Sequence, residues 1–137
     1  AKIEKSLPSD KVRDLRRFLD CLYVGQLSPQ VDISDMGAMD TALLPAFETA
    51  FLKRLYLRFQ YRDAKGAVTS RNVEPQAMLI LPPLWYLVAW DPARKDSRHF
   101  RMDRISGPEY VEGATFRRRY VPFEDNVRPV RDLLRSA

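Results

Sequence analysis

Two residue types that build most metal and nucleophile sites are nearly missing: of 137 residues, one is cysteine and one is histidine. A single thiol rules out an internal disulfide, and Cys21 with His99 falls short of any His/Cys metal set. Five glycines are scattered along the chain, and none builds a glycine-rich loop of the kind that cradles phosphate. No uncharged apolar run is long enough to cross a bilayer, and no basic start followed by a hydrophobic segment opens the chain. Together these absences predict a soluble, cytoplasmic protein with no metal, no cofactor and no membrane partner. A Cys21–His99 nucleophilic pair stays open on geometry alone. Cys21, however, lies in the apolar register of its segment, where a packed thiol is the ordinary outcome. Paired acids such as Glu124-Asp125 sit in polar surroundings with no sign of a pocket. The expectation is a protein that is not an enzyme.

What the chain does have is apolar material for a core and an uneven charge. At 45% hydrophobic it can build one domain. It opens on Ala1, within what reads as a helix, which suggests a piece of a longer protein. The formal net charge is +5, with thirteen Lys/Arg against seven Asp/Glu over residues 54–119 and six against eight over residues 1–50. Seventeen of the twenty-three basic residues are Arg, whose planar fork suits phosphate and stacks on bases. A GC-rich genome would also favour Arg over Lys. It would not cluster the charge on one segment, and the clustering points to an anionic partner.

AKIEKSL (1–7) reads as the end of a helix broken at Pro8, after which Ser9 or Asp10 caps a second helix. Val12, Leu15, Phe18, Leu19 and Leu22 give that helix an apolar face. LDCLYVG (19–25) reads either as its end or as a strand, and QLSPQVDISDMG (26–37) is a polar connector without a period. A helix is predicted over 38–53, with Leu43, Leu44, Phe47, Ala50, Phe51 and Leu52 on a broad apolar face. Then the period drops to two. RLYLRFQYR (54–62) sets Leu55, Leu57, Phe59 and Tyr61 on one face and Tyr56, Arg58, Gln60 and Arg62 on the other. Asp63-Ala64-Lys65-Gly66 is a hairpin turn. Further strands are predicted over 68–75, 76–81, 84–90, 97–102 and 109–113, with a turn at DRIS (103–106) and a helical tail over 125–135. The predicted class is α+β, mainly β: a small barrel or strongly bent sheet over 54–119. A helical segment, 1–53, precedes and packs on it, and a tail with a short helix, 120–137, follows.

LWYLVAW (84–90) holds both tryptophans. In a strand Trp85, Leu87 and Ala89 share one face and Tyr86, Val88 and Trp90 the other, so the stretch is mainly structural. Around it arginines alternate with aromatics. SRHFRMDRI sets Arg98, Phe100 and Met102 against His99 and Arg101, with Arg104 on the turn, and Arg71 comes from the earlier hairpin. Such surfaces hold phosphate by charge-assisted hydrogen bonds and bases by stacking. A strand aromatic is also ordinary core, and alternating arginines are an ordinary solvated face.

These residues resemble the WYL domain of bacterial helix-turn-helix (DeoR-like) transcriptional regulators. The likeness rests on Trp85-Tyr86-Leu87 together with Tyr61 in FQYRDAKG, Arg71 and Pro75 in TSRNVEP, Arg98, Phe100, Arg101, Asp103, Arg104 and Ile105 in RHFRMDRI, and Phe116 in GATFRRR. Order and spacing match over roughly residues 52–117. The resemblance implies an Sm-like, SH3-type small barrel and an effector-sensing role, with nucleic acids or nucleotides, including single-stranded DNA, as the ligands known in the family. Promoter DNA is then expected to be met only through a helix-turn-helix, which this sequence does not contain, and the C-terminal extension of many relatives is absent or reduced. Arg71, Arg98, Arg101 and Arg104 are the candidate phosphate contacts, and Tyr61 and His99 the candidate stacking or polar contacts. For Arg104 a structural ion pair with Asp103 is the alternative. The rival reading of the whole is an oligomerisation module that forms a homodimer and has no small ligand of its own.

Overall fold

The computed structural model describes residues 9–123 and 126–135. The helix end and break read over 1–8, the paired acids Glu124-Asp125 and the chain's last two residues lie outside them. Helix α1 spans Ser9–Leu19, and Asp10 Oδ1 accepts the Lys11 N–H at 3.0 Å in its first turn. The ambiguous segment after it resolves as a strand, β1 (Leu22–Val24). A connector without regular structure leads to α2 (Leu43–Lys53), which starts at Leu43 rather than at the predicted Ala38. Asp40 is the reason. Its side chain takes the Ala42 N–H at 2.9 Å and its carbonyl the Leu43 N–H at 3.0 Å, so the chain turns there instead of coiling. Pro45 in the first turn removes an N–H that has no intrahelical partner anyway. Leu43, Ala46, Phe47, Ala50 and Phe51 are buried at helical spacing.

Strands β2 (Leu55–Arg62), β3 (Val68–Leu81), β4 (Leu84–Asp91), β5 (Asp96–Arg101) and β6 (Ile105–Thr115) follow, with a single 3-10 turn, Met102–Arg104, between the last two. In β2 the predicted alternation holds, with Leu55, Leu57 and Phe59 buried against exposed Arg58 and Gln60. Asp63 Oδ1 closes the hairpin by accepting the Lys65 and Ala67 N–H groups at 2.8 and 2.9 Å, and Gly66 takes φ +88°. The two strands expected over 68–81 are one. β3 is continuous and carries its irregularity between Pro75 and Ala77, where Pro75 has no N–H for the ladder. Strand β6 likewise extends well beyond 109–113. After it come β7 (Arg128–Pro129) and α3 (Val130–Arg135); the helix begins later than the predicted Asp125, and β7 was not expected.

β3 organises the sheet. It pairs with β2 along its first half and with β4 and β1 along its second, the β1 pairing being parallel. β6 lies on β2, β5 on β4, and β7 on β1. Among the described residues no backbone pairing joins β5 to β6, so the seven-stranded sheet is unclosed. The main core gathers Leu57, Phe59, Val73, Leu87, Phe100 and Met102 on one face, together with Phe47 and Phe51 of α2. A smaller cluster of Ala77, Leu79 and Val88 lies on the opposite face under Val121, Phe123 and Val127. Leu87 and Ala89 are fully buried as their face predicts, but Trp85 is 38% exposed. It stands at the strand's start, where the core ends.

Candidate anion-binding site

Tyr86 on β4 pairs with Arg101 on β5, and Val88 with His99. Directly opposed residues share a face, so Arg101 and His99 lie with Tyr86 on the side away from the main core. Arg101 is nevertheless buried. Its Nε and Nη2 donate to the two oxygens of Asp103 at 3.1 and 2.7 Å, and its Nη1 reaches Asp35 Oδ1 and the Asp32 carbonyl at 3.4 Å. Arg104, on the 3-10 turn, donates from Nη2 to Asp35 Oδ2 at 3.0 Å. Asp35 therefore bridges two guanidinium groups with one oxygen for each. The ion pair foreseen between Arg104 and Asp103 is replaced by this cross-over: Asp103 serves Arg101, and Arg104 turns to the connector.

The acids respond to this company. The hydrogen bond from Arg104 holds the Asp35 carboxyl below the usual carboxylate range. Burial works to raise Asp103, but the Arg101 guanidinium and the Gly37 N–H outweigh it and the net direction is down. Arg101 is held above its ordinary value, chiefly by its hydrogen bond to Asp103.

On the same face as Arg101 is a cavity of about 400 Å³, which neither arginine lines. Tyr86, His99 and Phe123 line it together with Leu79, Leu81 and the connector residues Gln26 to Ser28 and Val31. The rings form a chain, with Tyr86 6.3 Å from His99 and His99 6.5 Å from Phe123 between centroids. The connector thus walls the cavity with one stretch and holds the arginines with the next. A second, apolar groove of about 450 Å³ lies across the fold between Phe18, Leu44, Met78 and Trp85.

The other candidates scatter. Arg71 is on the core side, where Nη1 pairs with Asp91 at 3.3 Å, Nε donates to Thr69 at 3.0 Å and the guanidinium stands 5.6 Å from the Phe100 ring. The Tyr61 hydroxyl accepts the Arg101 backbone N–H at 3.1 Å, and its ring packs edge-on against Phe100 at 5.0 Å. Arg98 is half-buried opposite Ala89. Tyr86 faces the cavity, while Leu87 is core. Arg101, Arg104 and His99 are brought to one face; Arg71 and Tyr61 reach it only through Phe100 and backbone. Sequence reasoning missed Asp32, Asp35 and Phe123, which lie in segments without periodicity. It also missed buried Glu74, which accepts from Tyr56 and Arg119 at 3.1 Å each while Arg119 stacks over Trp90.

The family model described as the WYL domain matches residues 42–110, from the start of α2 into β6. Among solved structures, Proteasome accessory factor B/C (PafBC) of Arthrobacter aurescens is similar over 64% of this chain, with 26% sequence identity and a TM-score of 0.50. The matched part is 13% of that chain. With half of its residues under the family model, and Trp85-Tyr86-Leu87 on β4 between β3 and β5, the chain belongs to the WYL domain family.

Proposed function

We propose that this domain is the effector-sensing part of a transcriptional regulator, and that it binds a nucleotide-like anion or single-stranded nucleic acid without catalysing a reaction on it. The observation that carries the ligand reading is that Arg101 shares one strand face with Tyr86 and His99 of the cavity, with Arg104 joined to it through Asp35. Two guanidinium groups suit a phosphate, and an aromatic slot suits a base. His99 and Tyr86 are the proposed base contacts, while Arg98, paired with the core residue Ala89, lies on the opposite face and is left out of the phosphate site. Arg71 and Tyr61 are assigned to the scaffold, because their polar atoms are engaged with Asp91, Thr69 and the Arg101 backbone. The unclosed sheet is read as a small Sm-like barrel, since β6 returns to β2 and the 3-10 turn carries β5 into β6.

Titration of a fluorescent single-stranded oligodeoxythymidylate at several salt concentrations tests this. Affinity is expected to fall with salt at a slope of roughly −0.7 per phosphate contact. Arg104→Gln is expected to weaken binding and make the slope shallower by about one contact, whereas Arg71→Gln is expected to lower stability and leave the slope unchanged. Equal binding by the parent and Arg104→Gln proteins would place the ligand elsewhere.

A further inference from the structure

Arg101 and Arg104 are too well covered to meet a ligand as they stand, with side chains 6% and 12% exposed. The cover is the connector. Asp35 spans the two guanidinium groups at 3.4 and 3.0 Å, as two oxygens of one phosphate would. It is an incomplete substitute. Arg104 Nε is buried with no hydrogen-bond partner among the described residues, and a carboxylate has no third oxygen to offer it. The covering segment itself is lightly held. No residue from Gln26 to Ala42 is buried, and just beyond Asp35 the chain is fastened by the Gly37 N–H on Asp103 at 3.1 Å and by Asp40 on the Gly107 N–H at 3.3 Å.

We propose that residues 32–36 are a displaceable strap: Asp35 occupies the place of the effector's phosphate between Arg101 and Arg104, and an anionic effector binds by expelling it. This rests on the reading of those two arginines as the anion site and adds its regulation. Held ionised by Arg104, Asp35 competes as a full negative charge, so a weak or singly charged anion fails where a phosphate ester with further oxygens succeeds. Release also moves the backbone that joins β1 to α2. Occupancy of the site thereby becomes a change in the path between the N-terminal helix and the sheet.

The test compares the full chain with Asp35→Asn and Asp35→Ala in titrations with a short oligodeoxythymidylate and, separately, inorganic pyrophosphate. Glu112→Gln, on exposed β6, controls for the change in net charge. Both Asp35 variants are expected to bind about five- to tenfold more tightly, because the fraction of molecules with an open site rises, and the control less than about twofold on the same arithmetic. Hydrogen exchange over residues 32–37 of the parent protein is expected to rise on saturation to the rate of unliganded Asp35→Ala. Unchanged or weaker binding by both Asp35 variants, in a protein whose binding still depends on Arg104, overturns the strap and leaves the anion site standing. Binding by neither the parent nor the variants overturns both.

Discussion

Asp103 gives both carboxylate oxygens to Arg101 in a pair whose side chains are 6% and 9% exposed. Removing one partner of such a pair costs about 3–5 kcal/mol when the other is left uncompensated. Arg101 keeps Asp35 on its Nη1, so Asp103→Asn is expected to lose less than that at neutral pH, measured by urea unfolding. The pH dependence follows from the direction of the shift. The native Asp103 carboxyl lies below its unfolded value, so its contribution is present above about pH 4 and is lost as the pH falls through the native pKa. In Asp103→Asn that part of the acid limb should be missing, and a parent and variant that lose stability in parallel between neutral and acid pH would refute the assignment. Trp85 gives the opposite lesson. Its face was legible from the alternation in LWYLVAW, but its burial was not, because alternation says nothing about where along a strand the core stops. At 38% exposed, Trp85→Ala should cost less than the roughly 3–5 kcal/mol of a buried Trp and less than Leu87→Ala, for which about 2–5 kcal/mol is ordinary. Thermal melts of the two variants compare them directly.

Among the elements, α2 ends on a residue that pays for its position. Arg54 has φ 57° and ψ 45°, and its N–H caps the helix on the Ala50 and Phe51 carbonyls while its own carbonyl accepts the Phe116 N–H at 3.2 Å. A left-handed non-glycine residue costs roughly 1–2 kcal/mol, of which glycine's extra unfolded entropy returns about half. Arg54→Gly keeps every one of those backbone bonds, so a gain of about 0.5–1 kcal/mol is expected, seen as a melting temperature several degrees higher; a drop would mean that the Arg54 side chain holds the junction. Elements with their own period were legible in the sequence: β2, the Asp63–Gly66 hairpin, β4, β5 and the apolar face of α2. The parallel pairing of β1 with β3, and the two residues of β7, were not, because a strand of two or three residues carries no period and its partner is fixed by distant packing. The site divides on the same line. Arg101 and His99 stand out by alternation and Arg104 by the turn that follows, whereas Asp35 reaches the two arginines across 66 and 69 residues of sequence from a connector whose local pattern is only polar.

At the scale of the whole molecule, the N-terminal helices and the sheet share one core. Phe18 of α1 meets Phe47 of α2 edge-on at 5.9 Å, and Arg17 donates to the Leu52 carbonyl at 2.9 Å. Cys21 sits at the seam, 2% exposed, with its thiol on the Phe18 carbonyl at 2.9 Å and its own carbonyl accepting the Met78 N–H of β3 at 2.9 Å. Burial pushes the thiol up to about 12, so at about pH 8 the native protein holds almost no thiolate, the form that reacts. Alkylation therefore reports opening of the seam. If the helices and sheet unfold as one unit, the free energy of opening obtained from the rate of iodoacetamide labelling should equal the global value from urea denaturation, and the two should fall together as urea is added. If α1 and β1 peel away from a sheet that stays folded, labelling will be much faster than global unfolding allows and nearly insensitive to low urea. That result would make the N-terminal segment a separately mobile arm, and the strap between β1 and α2 would then move with it.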